Sequence, residues 1–102
     1  MKITMNPNEM VVKASDSSFL LNGTNIKGKL ILTTQRIYFK SEANGKEYDD
    51  VEIYPDNIKE VMYFKNRPIM PTGLSIVTKD GIENKFLVSK RSSWNAEIVK
   101  MC

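Results

Sequence analysis

The stretch from Lys27 to Lys40 sets the strongest limit on what this chain can fold into. Leu30, Leu32, Ile37 and Phe39 recur at alternate positions on either side of Thr33-Thr34-Gln35-Arg36. That is the period-two pattern of two strands around a polar turn. An even-length turn centred on Thr34-Gln35 sets Leu32 opposite Ile37 and Leu30 opposite Phe39, so one face of the hairpin is dry. The other face carries Lys29 opposite Lys40, Ile31 opposite Tyr38, and Thr33 opposite Arg36. Gly28 falls on the dry face without a side chain, as expected where a strand bends or another element crosses closely.

The rest of the chain reads as further short strands. Asn6-Pro7-Asn8 is a turn or a loose tail, which leaves residues 1–8 outside the expected core. Met10 to Ala14 is a strand closed by the turn formers Ser15-Asp16-Ser17-Ser18, and Phe19-Leu20-Leu21 is another before a turn over Asn22-Gly23-Thr24-Asn25. Ser41 to Asp50 is a polar loop turning at Ala43-Asn44-Gly45-Lys46. Val51 to Tyr54 is a strand stopped by Pro55, which cannot donate to a ladder. Ile58 to Phe64 is a strand, followed by a two-proline loop from Lys65 to Gly73 with an apolar tip. Leu74 to Thr78 and Ile82 to Val88 form a hairpin about Asp80-Gly81. A type I turn with Gly81 as a bulge gathers Leu74, Ile76, Ile82, Phe86 and Val88 on one face. From about Arg91 the period lengthens, with Trp94, Ile98, Met101 and Cys102 on one helical stripe and Ser92 or Ser93 available as N-cap. Seven or eight short strands and one amphipathic helix predict a mainly β chain, one domain over residues 1–102. Its expected form is a β-sandwich or barrel closed by the C-terminal helix.

The hairpin motif Gly-x-Leu-x-Leu-Thr-x-x-Arg-(apolar)-x-Phe, here Gly28 to Phe39, resembles the signature of GRAM domains, members of the pleckstrin-homology-like superfold. Ile53 to Val61 looks like that family's strand, turn and Ile-x-x-Val segment. Gly73 to Gly81 and Phe86 look like its next hairpin, and Trp94 with Ile98 is similar to its closing helix. The resemblance covers roughly residues 9 to 99. It implies the PH-like architecture of about seven strands and one helix. It also implies a non-enzymatic module associated with membrane lipids, phosphoinositides among them, or with protein partners.

Composition narrows the chemistry. The 102 residues include no histidine and one cysteine, the terminal Cys102. No internal disulfide is possible, and the usual general base, the commonest zinc nitrogen ligand and the Cys/His or Ser/His nucleophile pairs are all missing. Neither an enzyme nor a bound metal or cofactor is expected. No apolar run approaches the roughly 20 residues of a membrane-spanning helix, and Met1 to Met5 lacks a signal-peptide core. The expected location is cytoplasmic, with a peripheral place at a membrane open. The net charge of +3 divides into −5 between Glu42 and Glu60 and +8 elsewhere, an asymmetry that bears on partners and steering rather than fold.

Two surfaces are candidates for binding. Lys27, Lys29, Arg36 and Lys40, with Tyr38 among them, form the outward face of the central hairpin. This face reads as a solvated basic surface or as an anion or lipid-headgroup site. The like-charge pair Lys29/Lys40 can be relieved by an anion or by the acidic Glu42-to-Glu60 segment folding over it. Four cations at about 1 kcal/mol each give only millimolar affinity for an anionic surface. The second candidate is the loop with Lys65, Arg67, Ile69 and Met70, whose apolar tip can insert at a membrane interface, dock in a partner, or tuck back onto the barrel. The function expected is a protein-interaction or membrane-adaptor module. The alternative is a small basic barrel binding nucleic acid, with Tyr48, Tyr54 and Tyr63 as stacking platforms. Those tyrosines fall on different segments with the acidic block among them, which argues against it.

Overall fold

The computed structural model describes residues 6–21, 23–42, 50–65 and 72–102. The turn expected at Ala43 to Lys46, Tyr48, and the loop residues Arg67, Ile69 and Met70 lie outside these. Seven strands are described: β1 (Val11–Leu21), β2 (Thr24–Thr33), β3 (Ile37–Ser41), β4 (Val51–Ile53), β5 (Ile58–Tyr63), β6 (Gly73–Thr78) and β7 (Glu83–Val88), followed by α1 (Arg91–Met101). They form one antiparallel sheet in the order β4-β3-β2-β1-β7-β6-β5, curled into a half-barrel.

The central hairpin has the register its alternation demands. Leu32 pairs with Ile37, Leu30 with Phe39, Ile31 with Tyr38, and Lys29 with Lys40. Leu30, Leu32, Ile37 and Phe39 are buried in one core with Leu74, Ile76, Phe86, Val88, Trp94 and Ile98. Rings of Phe19, Phe39 and Phe86 meet in this core, with centroids 5.2–5.8 Å apart, the spacing of tilted aromatic contacts. Gly28 is where it is because a Cβ there would run into the Lys40 carbonyl and the Phe39 ring.

The first strand departs from the expected pattern. Ser15 to Ser18 is no turn; it is the middle of the 11-residue β1. Ser15 pairs with Leu30 and Ser18 with Lys27 on one side, while Ser17 pairs with Val88 and Ser18 with Leu87 on the other. The Ser17 hydroxyl donates to the Leu87 carbonyl at 2.8 Å. Two neighbouring strands supply hydrogen bonds that local turn propensity cannot match, so tertiary pairing wins.

The β6–β7 connection is the bulged turn. Gly81 has φ +88, its N–H donates to the Thr78 carbonyl at 2.9 Å, and Thr78 N–H donates to Ile82 O at 3.0 Å. The expected inward face is right for Leu74, Ile76, Phe86 and Val88. Ile82 is instead 56% exposed, because the hairpin tip runs past the end of the core. Asn84 occupies the inward position between Ile82 and Phe86, donating from its side chain to the Ile76 carbonyl at 3.2 Å.

Helix α1 starts at Arg91 and buries Trp94 and Ile98 across the open end of the half-barrel, with Met101 packed partly against the core and Cys102 exposed. Its N-cap is Lys90, in the left-handed region at φ 57 and without a side-chain cap. Ser92 and Ser93 do not cap, because β7 ends at Val88 and the helix must begin within three residues. Both serines are therefore already inside its first turn.

Candidate functional site

The outward hairpin face has the expected register, and carboxylates of this chain stand beside three of its four cations. Arg36, Tyr38 and Lys40 project from one side of the β2–β3 turn and β3, and β4 brings Asp50 and Glu52 alongside, with Glu52 paired to Tyr38. Lys40 Nζ lies 2.9 Å from Asp50 Oδ2, and the Tyr38 hydroxyl donates to the same oxygen at 2.9 Å. Burial pushes the Asp50 carboxyl up, but hydrogen bonds from Lys40, the Ser41 N–H and Tyr38 outweigh it and hold the group below its ordinary value. Burial, and then the bond to Asp50, pushes the Tyr38 phenol up.

Arg36 is buried in an ion-pair cluster. Its Nε donates to Glu9 Oε2 at 2.8 Å, its Nη2 to Glu9 Oε1 at 3.1 Å, and its Nη1 to Glu52. The Thr33 hydroxyl also donates to Glu9 and accepts the N–H groups of Gln35 and Arg36 at 3.1 and 3.0 Å. The hydrogen bond from Arg36 holds the Glu9 carboxyl down at about 2, against the opposing cost of burial. Residues 6–9 are accordingly a turn and not a loose tail. Asn6 N–H donates to Glu9 Oε1 at 2.9 Å, and Gln35 Nε2 to the Pro7 carbonyl at 2.9 Å.

Lys29 also has an acidic neighbour, Asp16, at 3.8 Å. Carboxylates of this chain thus stand beside both lysines of the Lys29/Lys40 pair, Asp50 from the Glu42-to-Glu60 segment and Asp16 from β1. Lys27 is exposed at the mouth of a cleft of about 450 Å3, beside Asp16, Ser17, Ser18, Glu42 and Thr72. Two carboxylates against one lysine make that cleft a poor place for an anion. Arg36 has three of its donors on Glu9 and Glu52, so an anion there would compete with two carboxylates of this chain.

A different group of cations takes part in no salt bridge among the described residues. Lys65 follows β5, and Lys85 Nζ lies 5.5 Å from the centre of the Phe64 ring. Arg91, at the start of α1, donates from Nη1 to the Phe64 carbonyl at 3.1 Å and the Gly73 carbonyl at 2.9 Å. Its guanidinium lies 4.2 Å from the centre of the Tyr63 ring. Lys90 is its neighbour. Lys85 and Arg91 thus both contact Phe64, and Lys65 and Lys90 are the sequence neighbours of Phe64 and Arg91, just before the loop residues Arg67, Ile69 and Met70 in the chain for Lys65. None of the described salt bridges includes any of the four. Of these, only Lys65 stood out in the sequence. Lys85 and Arg91 are brought to Phe64, the residue before Lys65, by β7 and α1, and no local pattern marks them.

No protein-family model matches the sequence, and no curated protein matches it either. Solved structures do match. The C-terminal domain of an unknown protein from Leishmania infantum superposes with TM-score 0.76 at 14% identity, covering 91% of this chain and 84% of that one. The Vps36 N-terminal PH domain superposes with TM-score 0.73 at 15% identity, covering 96% of this chain and 82% of that one. The fold is PH-like. At these identities the likeness carries the architecture alone, so the site in this PH-like half-barrel rests on its own residues. None of its described helices is long and apolar enough to cross a membrane.

Proposed function

We propose that this chain is a GRAM-type binding module, a protein-interaction or membrane-adaptor domain without chemistry of its own. Its anionic partner meets the loop-neck corner of Lys65, Lys85, Lys90 and Arg91. The observation that carries this reading is the contrast between the two basic surfaces. Carboxylates of the chain itself engage Arg36, Lys40 and Lys29. The loop-neck cations have no such partner among the described residues. The GRAM resemblance of Gly28 to Phe39 and the PH-like neighbour support a module that binds. Arg67, Ile69 and Met70 follow Lys65 in sequence and supply one more cation and two apolar side chains. Each apolar side chain adds about 1.5 to 3 kcal/mol when buried, against about 1 kcal/mol per cation at an anionic surface. Charge and apolar burial together give reversible, useful affinity for a peripheral, cytoplasmic-side adaptor.

Vesicle co-sedimentation tests this. The parent should pellet with phosphatidylserine vesicles at low salt and not with phosphatidylcholine alone. Lys65→Glu with Lys90→Glu should abolish most of that binding, while Lys27→Glu with Lys29→Glu should keep it. Loss of binding in the hairpin variant alone would return the site to the hairpin face. A parent that never pellets removes the membrane adaptor and leaves the protein-interaction module.

A further inference from the structure

The order of the sheet leaves two edges among the described strands, β4 and β5. Strand β4 has three residues, but β5 has six. Edge strands invite pairing with another chain unless bulges, charges or proline blunt them. The first half of β5 is blunted in this way, by an irregularity between Ile58 and Glu60 and by the charges of Lys59 and Glu60. The second half, Val61 to Tyr63, has no charge and no proline. Phe64 N–H donates to Gly73 O at 3.2 Å. Strand alternation therefore turns the N–H and C=O groups of Tyr63 and Val61 away from β6, towards the open edge. None of the described hydrogen bonds engages them. Met62 and Tyr63 are 39% and 46% exposed.

This edge ends at the cations that no described salt bridge includes. Tyr63 lies under the Arg91 guanidinium, Lys65 is two residues on, and Lys85 and Lys90 flank Phe64 and Arg91. We propose that the Val61–Tyr63 edge of β5 docks an extended segment of a partner protein as an added strand, with acidic side chains at the end that meets Lys65, Lys90 and Arg91. The outward-facing backbone groups call for a strand, and cations that no described salt bridge includes call for carboxylates. A bilayer could answer the cations but offers no strand to the edge. A second copy of this chain would bring two equally basic corners together. The proposal rests on reading the chain as a binding module and names the partner of the same corner.

The test uses the 15N-labelled chain and a ten-residue peptide of alternating valine and threonine ending in three aspartates. This peptide should shift the Val61 and Tyr63 amide resonances and slow their hydrogen exchange. A lysine-ended counterpart should bind at least about tenfold more weakly, as should Lys65→Glu with Lys90→Glu against the acidic peptide. N-methylation of alternate peptide residues should abolish binding in the phase that faces β5 and spare it in the other. Equal binding of both N-methylated phases would mean charge without strand pairing and would overturn the proposal. So would shifts that miss Val61 and Tyr63, or no shift at millimolar peptide. If the peptide fails while phosphatidylserine vesicles bind at Lys65 and Lys90, the module stands and the docked strand does not.

Discussion

At the scale of single residues, Arg36 and Lys29 show how a side chain's place in a hairpin differs from its availability. Both stand where the alternation of the hairpin puts them. Their charges, however, are committed by residues distant in sequence: Glu9 and Glu52 for Arg36, Asp16 for Lys29. The Lys29 pair is long and wet, with side chains 42% and 90% exposed, so its worth is small. Taken alone, repulsion from Lys40 makes Lys29→Glu a stabilising change. With Asp50 already holding Lys40, and Asp16 set against the new carboxylate, that gain should vanish. We expect Lys29→Glu to change stability by less than about 0.5 kcal/mol, read from urea unfolding midpoints. A gain near 1 kcal/mol would show that Lys40 still dominates that position.

At the scale of elements, helix α1 is held by what it covers more than by its own sequence. It has no side-chain cap and no acidic residue in its first turn. A helix of 11 residues is marginal alone in water. Trp94 and Ile98, both fully buried, hold it across the open end of the half-barrel, and Lys13 Nζ lies 5.6 Å from the Trp94 ring centre. Trp94→Ala should cost about 3 to 5 kcal/mol, a large share of the stability of a domain this size. Thermal melting checks it, and a variant melting within a degree or two of the parent would mean that the helix does not plug the core. Strand β1 teaches the complementary lesson. Its serines favour a turn locally, yet pairing to β2 and β7 at once makes one long strand.

At the scale of the whole molecule, the Glu9–Arg36–Glu52 cluster ties the N-terminal turn to the β2–β3 turn and to β4. It also makes stability depend on pH. The folded Glu9 carboxyl is depressed from 4.5 to about 2. Its contribution is therefore fully present above about pH 4.5 and is lost as pH falls towards 2. Asp50 and Asp80 are lowered as well and add in the same direction. Glu9→Gln should cost about 2 kcal/mol at pH 7, where it leaves Arg36 with one carboxylate. The gap between variant and parent should close on acidification to pH 2. Urea midpoints across that range read it directly, and a gap independent of pH would assign the role of Glu9 to shape and not to charge.

What the sequence by itself determined is local and periodic. The Leu30/Phe39 register, the Gly81 bulge and the Trp94/Ile98 stripe follow from side-chain alternation, backbone freedom at one glycine and a change of period. Such features depend on neighbours a few residues away, and the strand count and closing helix follow from them. Which charges remain free was decided only by the tertiary structure. The hairpin cations look available because their partners, Glu9, Asp16, Asp50 and Glu52, lie on other segments. Lys85 and Arg91 look unremarkable because only the stacking of β5, β6, β7 and α1 brings them to Phe64. Charge pairing acts through space over a few ångströms, and a one-dimensional pattern carries no record of which distant segments come that close.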